Sequence, residues 1–226
     1  MGKTIIIEGR YDSATNKVVK DIMKVIKNTK NYPAGDLMMA NLPHDFDGTE
    51  EYEMKKAGIS FSVELYVVRD FFTPENGGPT IQIDDWVMDS FRINGEDSLE
   101  FRIGINSNNE PQVYSKIYMK LQEDVRHEIE HLLQDWGRGD RPIPIPERGN
   151  ETTFEHHSKR DEIPAMVQGY YRRAKKMRLP LDEIMTQDLD NEIEQGNLTS
   201  EEAEELLRVW MLYVKRRLPE AIYTNK

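Results

Sequence analysis

Hydrophobic and polar side chains alternate along residues 59–67. Successive side chains of a β-strand point to opposite faces, so this alternation predicts a strand with one buried face. The apolar positions of that face are Ile59, Phe61, Val63, Leu65 and Val67.

Two further strand signals follow. The apolar pair at 81–83 predicts a short strand. The turn signal Asn94-Gly95 separates the apolar runs 91–93 and 99–105. This spacing predicts an antiparallel hairpin.

The chain before these strands shows three patterns. An apolar run at 4–8 predicts a short buried strand, and the helical spacing of apolar residues over 14–29 predicts a helix. Proline, glycine and aspartate are frequent in 31–58, which predicts a long surface loop. The apolar positions of the predicted helix are Val18, Val19, Ile22, Met23 and Ile26.

A long helix is predicted to begin at Pro111 and to end at Gly137 and Gly139. Its apolar stripe consists of Val113, Ile117, Leu121, Val125, Ile129, Leu132 and Trp136. After a connector at 137–159, further helices are predicted at 161–178, 182–195 and 200–217, the last with a capping-box spacing at its start.

A strand-helix unit comes first, further strands follow, and helices come last. This order favours an α+β fold with a small sheet and a long central helix. We expect one domain with two parts. A sheet-containing lobe at 1–136 carries the long helix, and a helical lobe follows at 137–226.

Composition narrows the classes of function. The 226 residues carry a formal net charge of -11 and contain no cysteine. The charge argues against nucleic acid as the main partner, and the absence of thiolates leaves histidine and carboxylate as the strong metal ligands. No apolar stretch approaches the roughly 20 residues of a membrane span, so we expect no membrane partner and a cytoplasmic location.

The long helix contains the sequence His127-Glu128-Ile129-Glu130-His131. Residues four apart lie on the same side of a helix, so both imidazoles can bind one cation. Glu128 projects beside them, where it can reach a water molecule without binding the metal. A solvated pair of surface histidines is the alternative interpretation.

A catalytic zinc ion takes three protein ligands, so a third is expected. Glu162 is the favoured candidate because Ala165 and Gly169 follow it on the same helical face and permit close approach of another helix. His156 and His157 are the competing candidates. Glu162 could instead only interact with the positive end of its own helix.

The motif and the order of elements resemble the zincin metallopeptidases, in particular the gluzincin-like group, over residues 4–178. The segment 161–165 is also similar to stretches of uncharacterised phage-encoded peptidase-like proteins. The resemblance implies a zincin-like fold and a Zn²⁺ ion held by His127, His131 and Glu162. It further implies that substrate adds as an extended strand to a cleft wall at 98–105.

The expected activity is hydrolysis of a peptide or protein substrate by metal-activated water, with Glu128 as general base. Candidates for stabilising the oxyanion of the transition state are Tyr170, Tyr171, His156, His157 and Arg160. The alternative is a non-catalytic structural or assembly protein, viral and virion-associated, that retains a zincin-like fold.

Overall fold

The computed structural model describes residues 8–28, 49–54, 58–72, 81–93, 97–138, 151–219 and 221. In chain order, their elements are α1 (Glu8–Asn28), β1 (Thr49–Met54), β2 (Ile59–Arg69), β3 (Phe71–Phe72), β4 (Ile81–Gln82), β5 (Trp86–Ile93), β6 (Ser98–Ile105), α2 (Glu110–Arg138), α3 (Thr153–His157), α4 (Glu162–Met177), α5 (Leu181–Glu194) and α6 (Ser200–Arg217). This mixture of helices and strands confirms the predicted α+β class.

The chain divides into two compact units, Met1–Glu128 and Ile129–Lys226, and the boundary falls inside α2. The first unit contains the strands and α1, and the second contains α3 to α6. No helix among the described residues is long and apolar enough to cross a membrane.

The first unit contains a four-stranded mixed sheet with the strand order β1-β2-β6-β5. β2 pairs antiparallel with β1 and parallel with β6, and β6 pairs antiparallel with β5. The predicted hairpin is therefore confirmed, although its turn residues at 94–96 lie outside the described residues. β3 and β4 form a separate antiparallel pair.

The position of β6 corrects one expectation. Residues 98–105 were expected to form a cleft wall open to strand addition, but β6 lies inside the sheet with β2 on one side and β5 on the other. Both rows of its backbone groups are used in pairing, so no strand can be added there. The edges of this four-stranded sheet are β5 and β1.

The core of the first unit follows the predicted periodicities. Every apolar position predicted for the buried face of β2 is buried, as are the predicted apolar positions of α1. Tyr11 and Thr15 extend the buried stripe of α1 toward its start, which explains why the helix begins at Glu8 instead of residue 14.

A buried ion pair fixes the start of α2. Nη2 of Arg69, at the end of β2, lies 2.7 Å from Oε1 of Glu110 and also donates to the carbonyl of Ile26 in α1. The hydroxyl of Tyr114 donates to Glu110 at 2.9 Å. Burial, then the hydrogen bond and the charge of Glu110, raise the pKa of Tyr114 to about 12, and Arg69 opposes this.

The second unit has its own core, formed by α4, α5 and α6. Trp210 is completely buried and packs against the ring of Tyr170 at 5.4 Å between centroids. The hydroxyl of Tyr170 donates to Asp188 of α5. The predicted capping box is present, since the side chains of Thr199 and Glu202 each accept from the other's backbone N–H.

Three segments differ from the sequence-based expectations. Part of the predicted loop at 31–58 is strand β1, because pairing with β2 overrides the polar composition of 49–54. The predicted connector at 137–159 contains α3, which begins with a capping box. The strand predicted at 4–8 lies outside the described residues except for Glu8, which begins α1.

Candidate functional site

The motif on α2 forms a cluster that matches the donor set of a metal site. One ligand atom from each of His127, Glu128 and His131 lies within 4.8 Å of the other two. Both histidines are half-buried and Glu128 is buried. The cluster results from the helix itself, because residues four apart lie on adjacent turns of one face.

The opposite face of α2 packs into apolar surroundings. Val125, Ile129 and Leu132 are completely buried, so the histidines point away from the apolar stripe as predicted. Trp136 was expected to continue this stripe, but 47% of it is exposed. It lies in the last turn of α2, and hydrophobic periodicity does not indicate where the packing partner ends.

Two turns before His127, a lysine of α2 is paired with two acids. Nζ of Lys120 lies 2.6 Å from Glu123 and 2.7 Å from Asp124. Burial lowers the pKa of Lys120, but the charges of Asp124 and Glu123 outweigh burial and raise it above the ordinary value. The charged form of Lys120 is therefore favoured by its two acidic neighbours.

Glu128 contacts the sheet through β5. The hydroxyl of Ser90 donates to Oε1 of Glu128 at 3.0 Å. Arg92 is two residues further along β5 and thus on the same face. Burial lowers the pKa of Arg92, and the carboxylates of Asp97 and Glu128 act in the opposite direction.

In the second unit, His131 contacts the predicted third ligand. Its Nε2 lies 3.2 Å from Oε2 of Glu162, in the first turn of α4. Gln134, one turn further along α2, donates to the carbonyl of Asp161 at 2.9 Å, which holds the start of α4 beside α2. Ala165 and Gly169, the small residues predicted on this face, are buried.

The two competing histidines have different surroundings. Nε2 of His156 lies 3.7 Å from Oε2 of Glu162, and its Nδ1 lies 3.8 Å from Glu151. The ring of His157 instead packs on Trp210 at 6.1 Å between centroids, and its carbonyl accepts from the indole N–H. His156 is therefore placed beside Glu162.

The remaining candidates for stabilising the oxyanion are Tyr170, Tyr171 and Arg160. Tyr170 is buried in the helical core, and Tyr171 is buried with Lys175 over its ring. Arg160 is exposed. His156, by contrast, contacts the predicted ligand Glu162.

Ser90 and Glu151 contact site residues but were not singled out from the sequence. Ser90 approaches Glu128 because of the register of β5, and Glu151 approaches His156 through the capped turn before α3. Neither residue forms part of a spacing motif, so no pattern in the sequence indicated them.

Comparison with protein-family models gave no match, and neither the curated proteins nor the solved structures contained a significant match to the chain. The interpretation of the cluster therefore depends on its geometry and chemistry.

Proposed function

We propose that the chain is a zinc-dependent peptidase in which His127, His131 and Glu162 hold the metal ion and Glu128 is the general base. The observation that supports this most is the clustering of two imidazoles and a carboxylate on one helix, with ligand atoms within 4.8 Å. The contact of Glu162 with His131 adds a carboxylate from a second helix.

The donor set fits zinc. Zn–N and Zn–O bonds are about 2.0–2.2 Å long, so two ligand atoms of a tetrahedral site lie about 3.3 Å apart. The separation of 3.2 Å between His131 and Glu162 agrees with this value. The ligand atoms of His127 and His131 lie within 4.8 Å of each other, a range that includes this value.

When bound, zinc would lower the pKa of water toward about 7 and polarise a substrate carbonyl. The remaining steps belong to the residues of the chain. Glu128 accepts a proton from the attacking water and transfers it to the leaving amine of the peptide. His156 is the candidate donor to the developing oxyanion, because its Nε2 lies 3.7 Å from the proposed ligand Glu162.

The test combines metal analysis with a matched pair of substitutions. We expect the purified chain to hold about one zinc ion and to hydrolyse a mixture of denatured proteins. Glu128→Gln should retain zinc and lose at least about 100-fold in activity, because it removes the base. Glu130→Gln makes the same chemical change two residues away and should retain both properties.

Activity of Glu128→Gln equal to that of Glu130→Gln would refute the role of Glu128. Bound zinc without hydrolysis by the unmodified chain would refute the peptidase and favour a structural or assembly protein.

A second pair of variants tests the third ligand. Glu162→Ala should bind zinc much more weakly than the unmodified chain while its circular dichroism spectrum stays unchanged. His156→Ala should retain zinc, because His156 is proposed to act on substrate. The reverse result, with zinc lost only in His156→Ala, would assign the third ligand to His156.

A further inference from the structure

Ser90 of β5 forms a hydrogen bond with Glu128, the proposed general base. Neither residue is a proposed metal ligand. The hydroxyl of Ser90 lies 3.0 Å from Oε1 of Glu128, and the two residues are 38 positions apart in sequence. Glu128 is 5% exposed, so its carboxylate is held largely away from bulk water.

The strand backbone fixes the position of the Ser90 hydroxyl. Ser90 is opposite Phe101 in the β5–β6 register, and Phe101 is completely buried. A serine side chain has a single rotatable bond before its oxygen, so a fixed strand leaves the hydroxyl few positions. The glutamate side chain, by contrast, has three rotatable bonds.

A carboxylate has two oxygens, and only one accepts the bond from Ser90. With Oε1 accepting this bond, rotation of the carboxylate is restricted. Displacing a catalytic group by about 1 Å can cost about 100-fold in rate, so a contact that fixes a base has a measurable effect on turnover.

We propose that Ser90 is a positioning residue that fixes the carboxylate of Glu128 for proton transfer. This inference rests on the proposed peptidase function and adds a residue of β5 to the same site. Ser90 acts on Glu128 and binds neither the metal nor the substrate.

The first measurement is steady-state hydrolysis with zinc content determined in parallel. Ser90→Ala should lower kcat by about 10- to 100-fold, with KM within about 3-fold and zinc content unchanged. Ser90→Thr keeps the hydroxyl and suits a strand, so it should restore most of kcat. Ser60→Ala, a serine on the exposed face of β2, is the matched control and should match the unmodified chain.

The second measurement needs no metal and no activity. In zinc-free protein labelled with ¹³C at the glutamate carboxyl carbon, the Glu128 signal is assigned by its absence in Glu128→Gln. Ser90→Ala should shift this signal, because the hydrogen bond is lost, and Ser60→Ala should leave it in place.

Unchanged kcat in Ser90→Ala, together with an unshifted Glu128 signal, would overturn the inference while the peptidase stands. An equal loss in Ser90→Ala and Ser90→Thr would also overturn it, since the hydroxyl would not be the cause. Absence of hydrolysis by the unmodified, zinc-loaded chain would overturn the proposed function and this role of Ser90 with it.

Discussion

The buried ion pair at the start of α2 gives a stability prediction of definite size. The side chains of Arg69 and Glu110 are 2% and 6% exposed, with 2.7 Å between their charged atoms. Glu110→Gln leaves the guanidinium buried without its counter-charge. Breaking such a pair from one side costs about 3–5 kcal/mol, a large part of the 5–15 kcal/mol typical of a folded domain.

The assay is urea unfolding followed by circular dichroism. With an m-value of about 2 kcal/mol per molar, the midpoint of Glu110→Gln should fall by about 2 M at unchanged m. Arg69→Met combined with Glu110→Gln should be less destabilised than the two single variants together, since the uncompensated charge is gone. The interaction free energy between the two substitutions should reach about 2 kcal/mol.

An exposed ion pair between the same helix and the residue before β5 is the control. Lys116 lies 3.0 Å from Asp85, but their side chains are 61% and 43% exposed. Asp85→Asn should therefore cost less than about 1 kcal/mol. If Glu110→Gln costs no more than Asp85→Asn, the pair does not anchor α2 and the reasoning from burial is refuted.

Two further predictions concern the same unit and α2. The pKa of Tyr114 is raised to about 12 in the folded protein. The neutral hydroxyl therefore contributes stability that is fully present below about pH 10 and is lost as the pH rises through about 12. The loss of unfolding free energy caused by Tyr114→Phe, measured by urea unfolding, should be larger at about pH 8 than at about pH 12. A Cβ at Gly104 would lie 2.7 Å from methyl carbons of both Ile83 and Val87, so Gly104→Ala should lower the free energy of unfolding by about 1–3 kcal/mol. Gly137→Ala on α2, with no atom within 4 Å of the added carbon, should instead raise it by up to about 1 kcal/mol, and equal effects of the two substitutions would contradict this.

Local periodicity predicted much of the fold. The alternation along β2 and the helical stripes of α1 and α2 arise from which side chains must leave water, and that information lies within a short segment. The capping box before α6 is likewise a local signal, and it is present. These elements could therefore be predicted without knowledge of the rest of the chain.

Features that depend on distant segments were missed. β1 is polar in sequence and is a strand because it pairs with β2. The interior position of β6 depends on its parallel pairing with β2, which no local pattern encodes. Ser90 lies beside Glu128 through the register of β5, so this part of the site became visible only in the structure.

The candidate metal-binding cluster combines a local feature and a long-range one. His127 and His131 share one helical face, so their proximity follows from sequence spacing alone. The contact between His131 and Glu162 joins two helices, and the sequence offered Glu162, His156 and His157 as alternatives. In the structure, Glu162 lies 3.2 Å from His131, and His156 lies close to Glu162. The ring of His157 packs on Trp210.

The central claim is that two imidazoles of one helix hold a zinc ion. X-ray absorption at the zinc edge tests it most directly, because the fine structure counts imidazole ligands. We predict two imidazole nitrogens and a carboxylate oxygen at about 2.0–2.2 Å in the unmodified chain, and loss of the imidazole signal in His127→Ala combined with His131→Ala. Zinc bound without imidazole scattering, or no zinc retained at all, would contradict the account.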